Sequence, residues 1–420
     1  MEVSALGAMI ALVMSVILIL RKVPPAYGMV AGALAGGWIG GASLPDTVSL
    51  MMEGAEGMIP ATLRILAAGV LAGVLMESGA ATTIAEKTVD WIGEKRALLA
   101  LAIATMLLTA AGVFIDVAVI TVAPIALAIA GRVGFSKTGV LIAMIGGGKA
   151  GNLMSPNPNS IAAAEAFDVS LTSVMAAGVI PAVFGILVTY ITACKISRKG
   201  SPVSFNGLSD PAQTGLPKLL PAIVAPLTAI ILLSLRPLAG IEMDPMVALP
   251  VGGITGALIM GKAKQINQYA IAGLEKMSGV AIMLLGTGTL AGIISNSHLS
   301  DVIIQALTAA GLPAFLLAPF SGAFMSAATA STTAGTVAAG SVFGGMMMEM
   351  GVAGLAAAAM VHAGATVFDH MPHGSFFHAT GGSVMMGIKE RMKLIPYESL
   401  IGLMLTIVST LIFGVFKIFP

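Results

Sequence analysis

Two polar, proline-containing segments interrupt long apolar stretches of this chain. The first, Gly146 to Asn159, contains Ser-Pro-Asn-Pro-Asn, and the second, Val361 to His373, contains Asp-His-Met-Pro-His. Hydrocarbon offers no water to unpaired backbone groups, so such breaks persist in a membrane only where they line a cavity or pack against protein. A shift of 214 residues superposes the two segments. A matched pair of interrupted segments in the two halves of a chain is typical of a transporter's binding site.

The composition is that of a membrane protein. Only 10% of the 420 residues are charged, whereas a typical soluble domain has about 25%. Mean hydropathy is +0.98. The net charge of +1 gives no support for a nucleic-acid partner, and the single cysteine excludes an internal disulfide. We therefore predict an all-α polytopic protein of the cell (inner) membrane.

Several apolar runs approach the length of about 20 residues that a spanning helix needs. They lie near 4–20, 27–43, 59–79, 97–115, 172–194, 219–235, 246–261, 278–296 and 397–416. The regions 113–167 and 320–386 are also apolar, but they are rich in Gly, Ser, Thr, Asn and Pro. We predict that these two regions form helices mixed with re-entrant hairpins.

Basic residues predict the orientation of the chain. They cluster at Arg21 and Lys22, Lys95 and Arg96, Lys195 to Lys199, Lys218, Lys262 and Lys264, and Lys389 to Lys393. If these clusters are cytoplasmic, the helices at 59–79 and 278–296 run in opposite directions. We therefore predict two inverted-topology repeats, each with re-entrant helical hairpins. The N-terminus would lie outside and the central loop in the cytoplasm.

A repeated motif supports this division of the chain. Leu71 to Leu75 (Leu-Ala-Gly-Val-Leu) recurs as Leu290 to Ile294 (Leu-Ala-Gly-Ile-Ile), and an amphipathic stretch follows each copy. We predict four parts, which are N-terminal transmembrane helices at 1–50, a first inverted repeat at 51–195, a flexible cytoplasmic linker at 196–218, and a second half at 219–420 that includes the second repeat.

The first broken segment contains candidate solute ligands. They are Lys149, Asn152, Ser155, Asn157 and Asn159. Amides and hydroxyls suit a polyhydroxylated or carboxylated solute, and half-helix N-termini favour anions. The role of Lys149 stays open, because it could also pair with Asp116 or Glu165, or extend to the membrane interface.

A dense group of hydroxyl residues in the second half supplies further candidates. Ser331, Thr332, Thr333 and Thr336 lie in a Gly- and Ala-rich stretch that also includes Ser326 and Thr329. Such residues often bond only to a carbonyl one turn earlier. Their density nevertheless favours contact with a solute.

Titratable groups in apolar sequence are candidates for proton coupling. Asp116 stands alone among apolar residues, and a carboxyl group at membrane depth must be protonated, paired or in contact with water. Asp369, His370 and His373 form the second candidate group, because histidine titrates near neutral pH. The same cluster could bind a metal ion. His362 and His378 are equally consistent with packing or capping.

These elements resemble the gluconate permease (GntP) family of the ion-transporter superfamily. The resemblance rests on Phe114 to Val117, on Ser155 to Ala163, and on the hydroxyl hairpin with Gly335. It implies an inverted-repeat carrier, a homodimer, that moves a sugar acid or other small hydroxy acid with protons. It also implies that Asp116, the break at 155–160 and the hairpin at 326–336 form the site. Better-known members have a histidine in the first break and lack Asp-His-Met-Pro-His, which leaves the solute open.

We therefore predict a secondary active transporter, a proton-coupled symporter of a small organic anion, with sodium coupling left open. No cofactor is expected, and the chain has no catalytic or phosphate-binding motif. One alternative is an inorganic cation or metal carrier that uses Asp369, His370 and His373. Another is an intramembrane hydrolase that uses Asp116 or Asp369 together with a nucleophile near Ser331.

Overall fold

A computed structural model of the chain describes residues 3–203, 215–235, 239–241 and 243–418. Within these ranges the secondary structure is helical, with two isolated bridges and no strand. The prediction of an all-α fold is therefore confirmed. Five helical stretches of the described chain are long and apolar enough to cross a bilayer, and further apolar helices of 10–17 residues accompany them.

Eleven helices precede the linker. They are α1 (Ala5–Leu20), α2 (Pro25–Ile39), α3 (Leu44–Glu56), α4 (Ile59–Glu77), α5 (Ala80–Ile92), α6 (Ala97–Ala110), α7 (Ile115–Val133), α8 (Lys137–Leu153), α9 (Pro158–Ala166), α10 (Leu171–Ala177) and α11 (Val179–Ile196). Of the predicted linker 196–218, residues 204–214 lie outside the described residues.

The helices after the linker follow a similar order. In the described chain they are α12 (Leu219–Leu233), α13 (Pro245–Ile259), α14 (Ile266–Ser295), α15 (Leu299–Ala309), α16 (Leu317–Thr329), α17 (Thr332–Glu349), α18 (Gly354–Ala365), α19 (Ser375–Ser383), α20 (Ile388–Met392) and α21 (Ile395–Thr410), with a π-helical turn at Leu411–Val415.

The two series of helices have nearly constant spacing. Each of α17 to α21 begins 216 or 217 residues after its counterpart among α7 to α11. The second break, 366–374, is five residues longer than the first, 154–157. The predicted shift of 214 therefore lies between the offset of the preceding helix ends, 212, and that of the following helix starts, 217. The contacts also correspond, because α9 packs on α17 and α19 packs on α7.

Several predicted segment limits were wrong. The run at 278–296 is the end of α14, a helix of 30 residues that begins at Ile266. The run at 172–194 is divided between α10 and α11. The run at 97–115 ends as α6 at Ala110, and the prediction missed α3. Hydropathy alone does not locate caps and tight turns, which decide where helices end.

Glycines allow α14 to pack closely on α4. A Cβ atom on Gly273 would lie 1.8 Å from the carbonyl oxygen of Gly69, and one on Gly73 would lie 2.0 Å from that of Tyr269. In membranes, helix association depends on such close backbone contact, because lipid supplies little hydrophobic driving force between helices.

Candidate functional site

A cavity of about 290 Å³ lies where the first turns of four helices meet. Its wall contains residues that begin α7, α9, α17 and α19, together with Asn152, Lys276 and Asp369. Both broken segments and both tight helix connections therefore contribute to one cavity. Each helix start carries backbone N–H groups without intrahelical partners and a partial positive charge. The cavity thus has the electrostatic character of an anion site.

Local sequence explains why helices begin here. Asn157 caps α9, because its Oδ1 atom accepts from the amides of Asn159 at 2.9 Å and Ser160 at 3.0 Å. Pro158 then occupies the first helical position, where its fixed φ is suitable and its missing N–H costs little. Ser331 caps α17 by accepting from the amide of Ala334 at 3.2 Å.

The turn between α16 and α17 is unusually tight. Ala330, the residue between the two helices, has a φ angle of 50°. This left-handed conformation costs an L-residue about 1–2 kcal/mol. Ala330 is buried and lines the cavity. The strained turn brings Ser331 and Thr332 directly to the cavity wall.

One hydrogen bond joins polar residues of the two halves beside the cavity. The hydroxyl of Thr333 donates to Oδ1 of Asn159. On the first-half side, Nδ2 of Asn157 donates to the backbone carbonyl of Asn152 at 2.9 Å and also to its side-chain oxygen. The two tips are therefore held together by side chains that form part of the cavity wall.

Asp369 belongs to a buried network centred on Lys149. Nζ of Lys149 lies 2.6 Å from Oδ1 of Asp369, 2.6 Å from the carbonyl oxygen of Thr366 and 3.1 Å from Nδ1 of His370. The other Asp369 oxygen accepts from the hydroxyl of Thr332 at 2.6 Å. A buried charge is tolerated when it is paired and hydrogen-bonded, and both charges meet this condition.

Asp116 is in a different environment. It is half-buried in the first turn of α7 and lines the cavity. No hydrogen bond or ion pair joins its side chain to another residue of the described chain. Asp116 is therefore a carboxyl group that a solute or a proton can reach without breaking an existing pair.

Comparison with known proteins identifies the family. The profile of the GntP family permease matches residues 3–416. The chain belongs to the GntP permease family. The predicted resemblance is thereby confirmed, and the chain is placed among transporters rather than enzymes.

Individual relatives agree with this assignment. This GntP permease is 65% identical over 415 residues to a Haemophilus influenzae protein described as an uncharacterized transporter, with 99% of each chain covered. It is 23% identical over 375 residues to the gluconate permease of Bacillus licheniformis, with 80% of this chain and 83% of the relative covered. The crystal structure of the Alcanivorax borkumensis YdaH transporter superposes with a TM-score of 0.64 and 16% identity, over 96% of this chain and 98% of the other. That likeness concerns the fold.

The GntP permease places about half of the predicted site residues on the cavity wall. The residues that line the cavity are Asp116, Asn152, Asn159, Ser331, Thr332, Thr333 and Asp369. Lys149, Ser155, Asn157, Thr336, His370 and His373 are not part of that wall. Among the described residues, the buried hydroxyls of Ser155 and Thr336 have no hydrogen-bond partner.

Lys149 pairs with neither of the carboxylates that the sequence suggested. Its partner is Asp369, whereas Glu165 pairs with Arg64 of α4. Arg64 also contacts Asp244 at 2.9 Å, beside a second cavity of about 530 Å³. Asp244 lies just before α13. Burial disfavours its ionisation, but hydrogen bonds from Arg64 and from the amide of Met246 outweigh this effect and lower its pKa.

The histidines do not form a single cluster. His370 lies beside Asp369 and Lys149, whereas Nε2 of His373 contacts the carbonyl oxygen of Ala328 at 3.0 Å. His378 contacts the carbonyl oxygen of Pro372 at 2.9 Å, and His362 is buried. Within the described residues, no group of three His, Cys, Asp or Glu side chains could hold a metal ion.

Sequence reasoning missed Lys276, Ser375 and Phe376, all of which line the cavity. Lys276 lies within α14 and is exposed. Its charge at the edge of an apolar run was a detectable signal, but the run predicted at 278–296 began after it. Ser375 and Phe376 directly follow the predicted second break at 361–373 and begin α19.

Proposed function

We propose that this GntP permease is a secondary active transporter that moves a small organic anion, such as a sugar acid or hydroxy acid, together with protons. The proposal depends on one observation, which is that four helix N-termini surround a single polar cavity. Free backbone N–H groups and the helix dipoles favour a carboxylate there. Lys276, on the same wall, adds a positive charge.

The size and lining of the cavity favour a small hydroxylated solute. A volume of about 290 Å³ is at the lower end of the range of about 300–1,000 Å³ that is usual for ligand pockets. Asn152, Asn159, Thr332 and Thr333 provide amide and hydroxyl groups at the wall. We propose that these side chains bind hydroxyl groups of the solute, while the helix starts bind its carboxylate. The name of the Bacillus licheniformis relative, a gluconate permease, agrees with this class of solute.

We propose Asp116 as the group that carries the coupled proton. It lies in the cavity and is not paired within the described chain, so its charge can respond to the solute and to the proton gradient. A negative Asp116 would repel an organic anion, whereas a protonated Asp116 would allow it to bind. Asp369 is a weaker candidate than the sequence suggested, because Lys149 and Thr332 already bind its two oxygens.

The proposed transport cycle uses two inverted repeats. The constant spacing of helix starts and the reciprocal packing of α9 on α17 and α19 on α7 support this arrangement. In it, α6–α7 and α16–α17 form the re-entrant hairpins, and α8–α9 and α18–α19 are the broken helices. Location in the inner membrane, an external N-terminus, a cytoplasmic linker and a homodimer stay predictions.

Neither alternative function has a specific observation in its favour. A metal carrier requires converging ligands, but Lys149 places a positive charge directly beside Asp369 and His370, and His373 lies elsewhere. A hydrolase requires an activated nucleophile, but the hydroxyl of Ser331 is used to cap α17.

Transport assays in proteoliposomes test the proposal. With the exterior made acidic, we expect wild-type protein to accumulate gluconate or a related hydroxy acid against its gradient. Asp116→Asn should lose accumulation but retain exchange of labelled for unlabelled solute, because the amide keeps the shape of the carboxyl group without its proton. Asp90→Asn, on the exposed face of α5, is the matched control and should behave like wild type. Unchanged accumulation by Asp116→Asn would exclude Asp116 as the proton carrier.

A further inference from the structure

The ammonium group of Lys149 lies where the chain after α18 is unwound. Its partners are the carbonyl oxygen of Thr366, a carboxylate oxygen of Asp369 and a ring nitrogen of His370. Unwound carbonyls and the C-terminal ends of half-helices are the groups that bind coupling cations in transporters built from broken helices. The Lys149 side chain is 0% exposed, so the position is filled by protein.

The hydrogen-bond network determines the state of His370. Its Nε2 atom lies 3.1 Å from the carbonyl oxygen of Ile395, which can only accept, so Nε2 must carry a hydrogen. Nδ1 faces the Lys149 ammonium at 3.1 Å, which disfavours a second proton on the ring. His370 is therefore neutral, and its Nδ1 atom accepts from Lys149. The 3.0 Å approach of Nδ1 to Asp369 arises because both groups face the same ammonium.

Lys149 thus uses its three N–H donors on three acceptors, all from the second half of the chain. These acceptors carry one negative charge in total, that of Asp369, which the single positive charge of Lys149 balances. Thr332 donates to the remaining Asp369 oxygen, so the same group of atoms is linked to the cavity wall. This set of ligands, without the lysine, would attract a monovalent cation.

We propose that the Lys149 ammonium is a built-in replacement for a bound sodium ion, so this permease binds its solute and completes its cycle without sodium. The inference extends the proposed function, since it explains why protons rather than sodium ions would drive transport. In this role Lys149 is a positioning residue. It holds Asp369, and through Asp369 Thr332, in the arrangement that the solute meets.

Replacing the lysine tests the idea. Lys149→Ala removes the ammonium and leaves the carbonyl, carboxylate and imidazole around a gap. We expect the thermal midpoint of Lys149→Ala in detergent to rise with the logarithm of sodium concentration, whereas potassium and choline chloride at equal ionic strength have no such effect. Wild type and Lys87→Ala, which alters an exposed lysine of α5, should respond equally to the three salts. Lys149→Ala combined with Asp369→Asn should lose the sodium response.

Three results would overturn the inference. The first is a wild-type protein whose stability or solute binding requires sodium. The second is a Lys149→Ala variant that responds alike to sodium, potassium and choline. The third is a Lys149→Ala variant that cannot be purified folded even in sodium, because sodium should fill the gap.

These readouts are separate from transport. Sodium-specific stabilisation of Lys149→Ala would support the inference even if no organic anion is carried. Proton-driven uptake by a wild type that needs sodium for stability would support the proposed function and refute this inference.

Discussion

Removing one charge of the buried pair Lys149–Asp369 should destabilise the protein more than removing both. The two charged atoms are 2.6 Å apart, and the side chains are 0% and 4% exposed. Loss of one partner leaves an uncompensated buried charge, which typically costs about 3–5 kcal/mol, whereas replacing both partners is often nearly neutral. We therefore expect Lys149→Met and Asp369→Asn each to be strongly destabilising, and the double variant to recover most of the loss.

The expected change in melting temperature follows from the size of the chain. Unfolding entropy is about 2.1 cal/mol/K per residue, which for 420 residues is about 0.9 kcal/mol/K. A loss of about 3–5 kcal/mol then corresponds to a shift of about 3–6 °C. The measurement is thermal unfolding of the four proteins of a double-mutant cycle in sodium-free buffer, so that sodium cannot fill the gap left by the lysine.

The chain offers a matched control. Lys87 and Asp90 form a pair at 3.3 Å whose side chains are 57% and 68% exposed, and exposed pairs contribute about 0–1 kcal/mol. Lys87→Met, Asp90→Asn and their combination should therefore show little coupling. If the buried pair shows no greater coupling than this exposed pair, the argument from burial and desolvation is refuted.

Three further predictions concern the framework around the site, and thermal unfolding checks each of them. Gly273→Ala should destabilise the protein by about 1–3 kcal/mol, because the new Cβ atom would lie 1.8 Å from the carbonyl oxygen of Gly69 and force α14 away from α4; Gly279→Ala, on the same helix with open space around it, should be neutral or slightly stabilising. Asn157→Ala should cost about 0.5–2 kcal/mol, because two amides at the start of α9 lose their acceptor; an unchanged midpoint would mean that water satisfies them. Ala330→Gly should stabilise the turn between α16 and α17 by up to about 1 kcal/mol, because glycine adopts the observed φ of 50° without strain; a loss of stability would show that the methyl group contributes more through packing.

Features that depend on short stretches of sequence were predictable. The helical membrane fold follows from hydropathy, and the two breaks follow from prolines and polar residues within apolar runs, because such segments cannot remain helical or face lipid. Asp116, Asn152, Asn159 and the hydroxyl cluster at 331–333 were located by the same reasoning. All of them line the cavity. The family resemblance was carried by these same segments.

Features that depend on contacts between distant residues were not predictable. Lys149 and Asp369 are 220 positions apart, and hydropathy does not indicate which of several carboxylates a buried lysine will meet. Lys276 reached the cavity because α14 extends beyond the predicted apolar run. His373 separated from His370 because each ring bonds to a different backbone carbonyl. Pairing of buried charges depends on three-dimensional packing, since their desolvation must be compensated by whichever groups the fold brings within hydrogen-bonding distance.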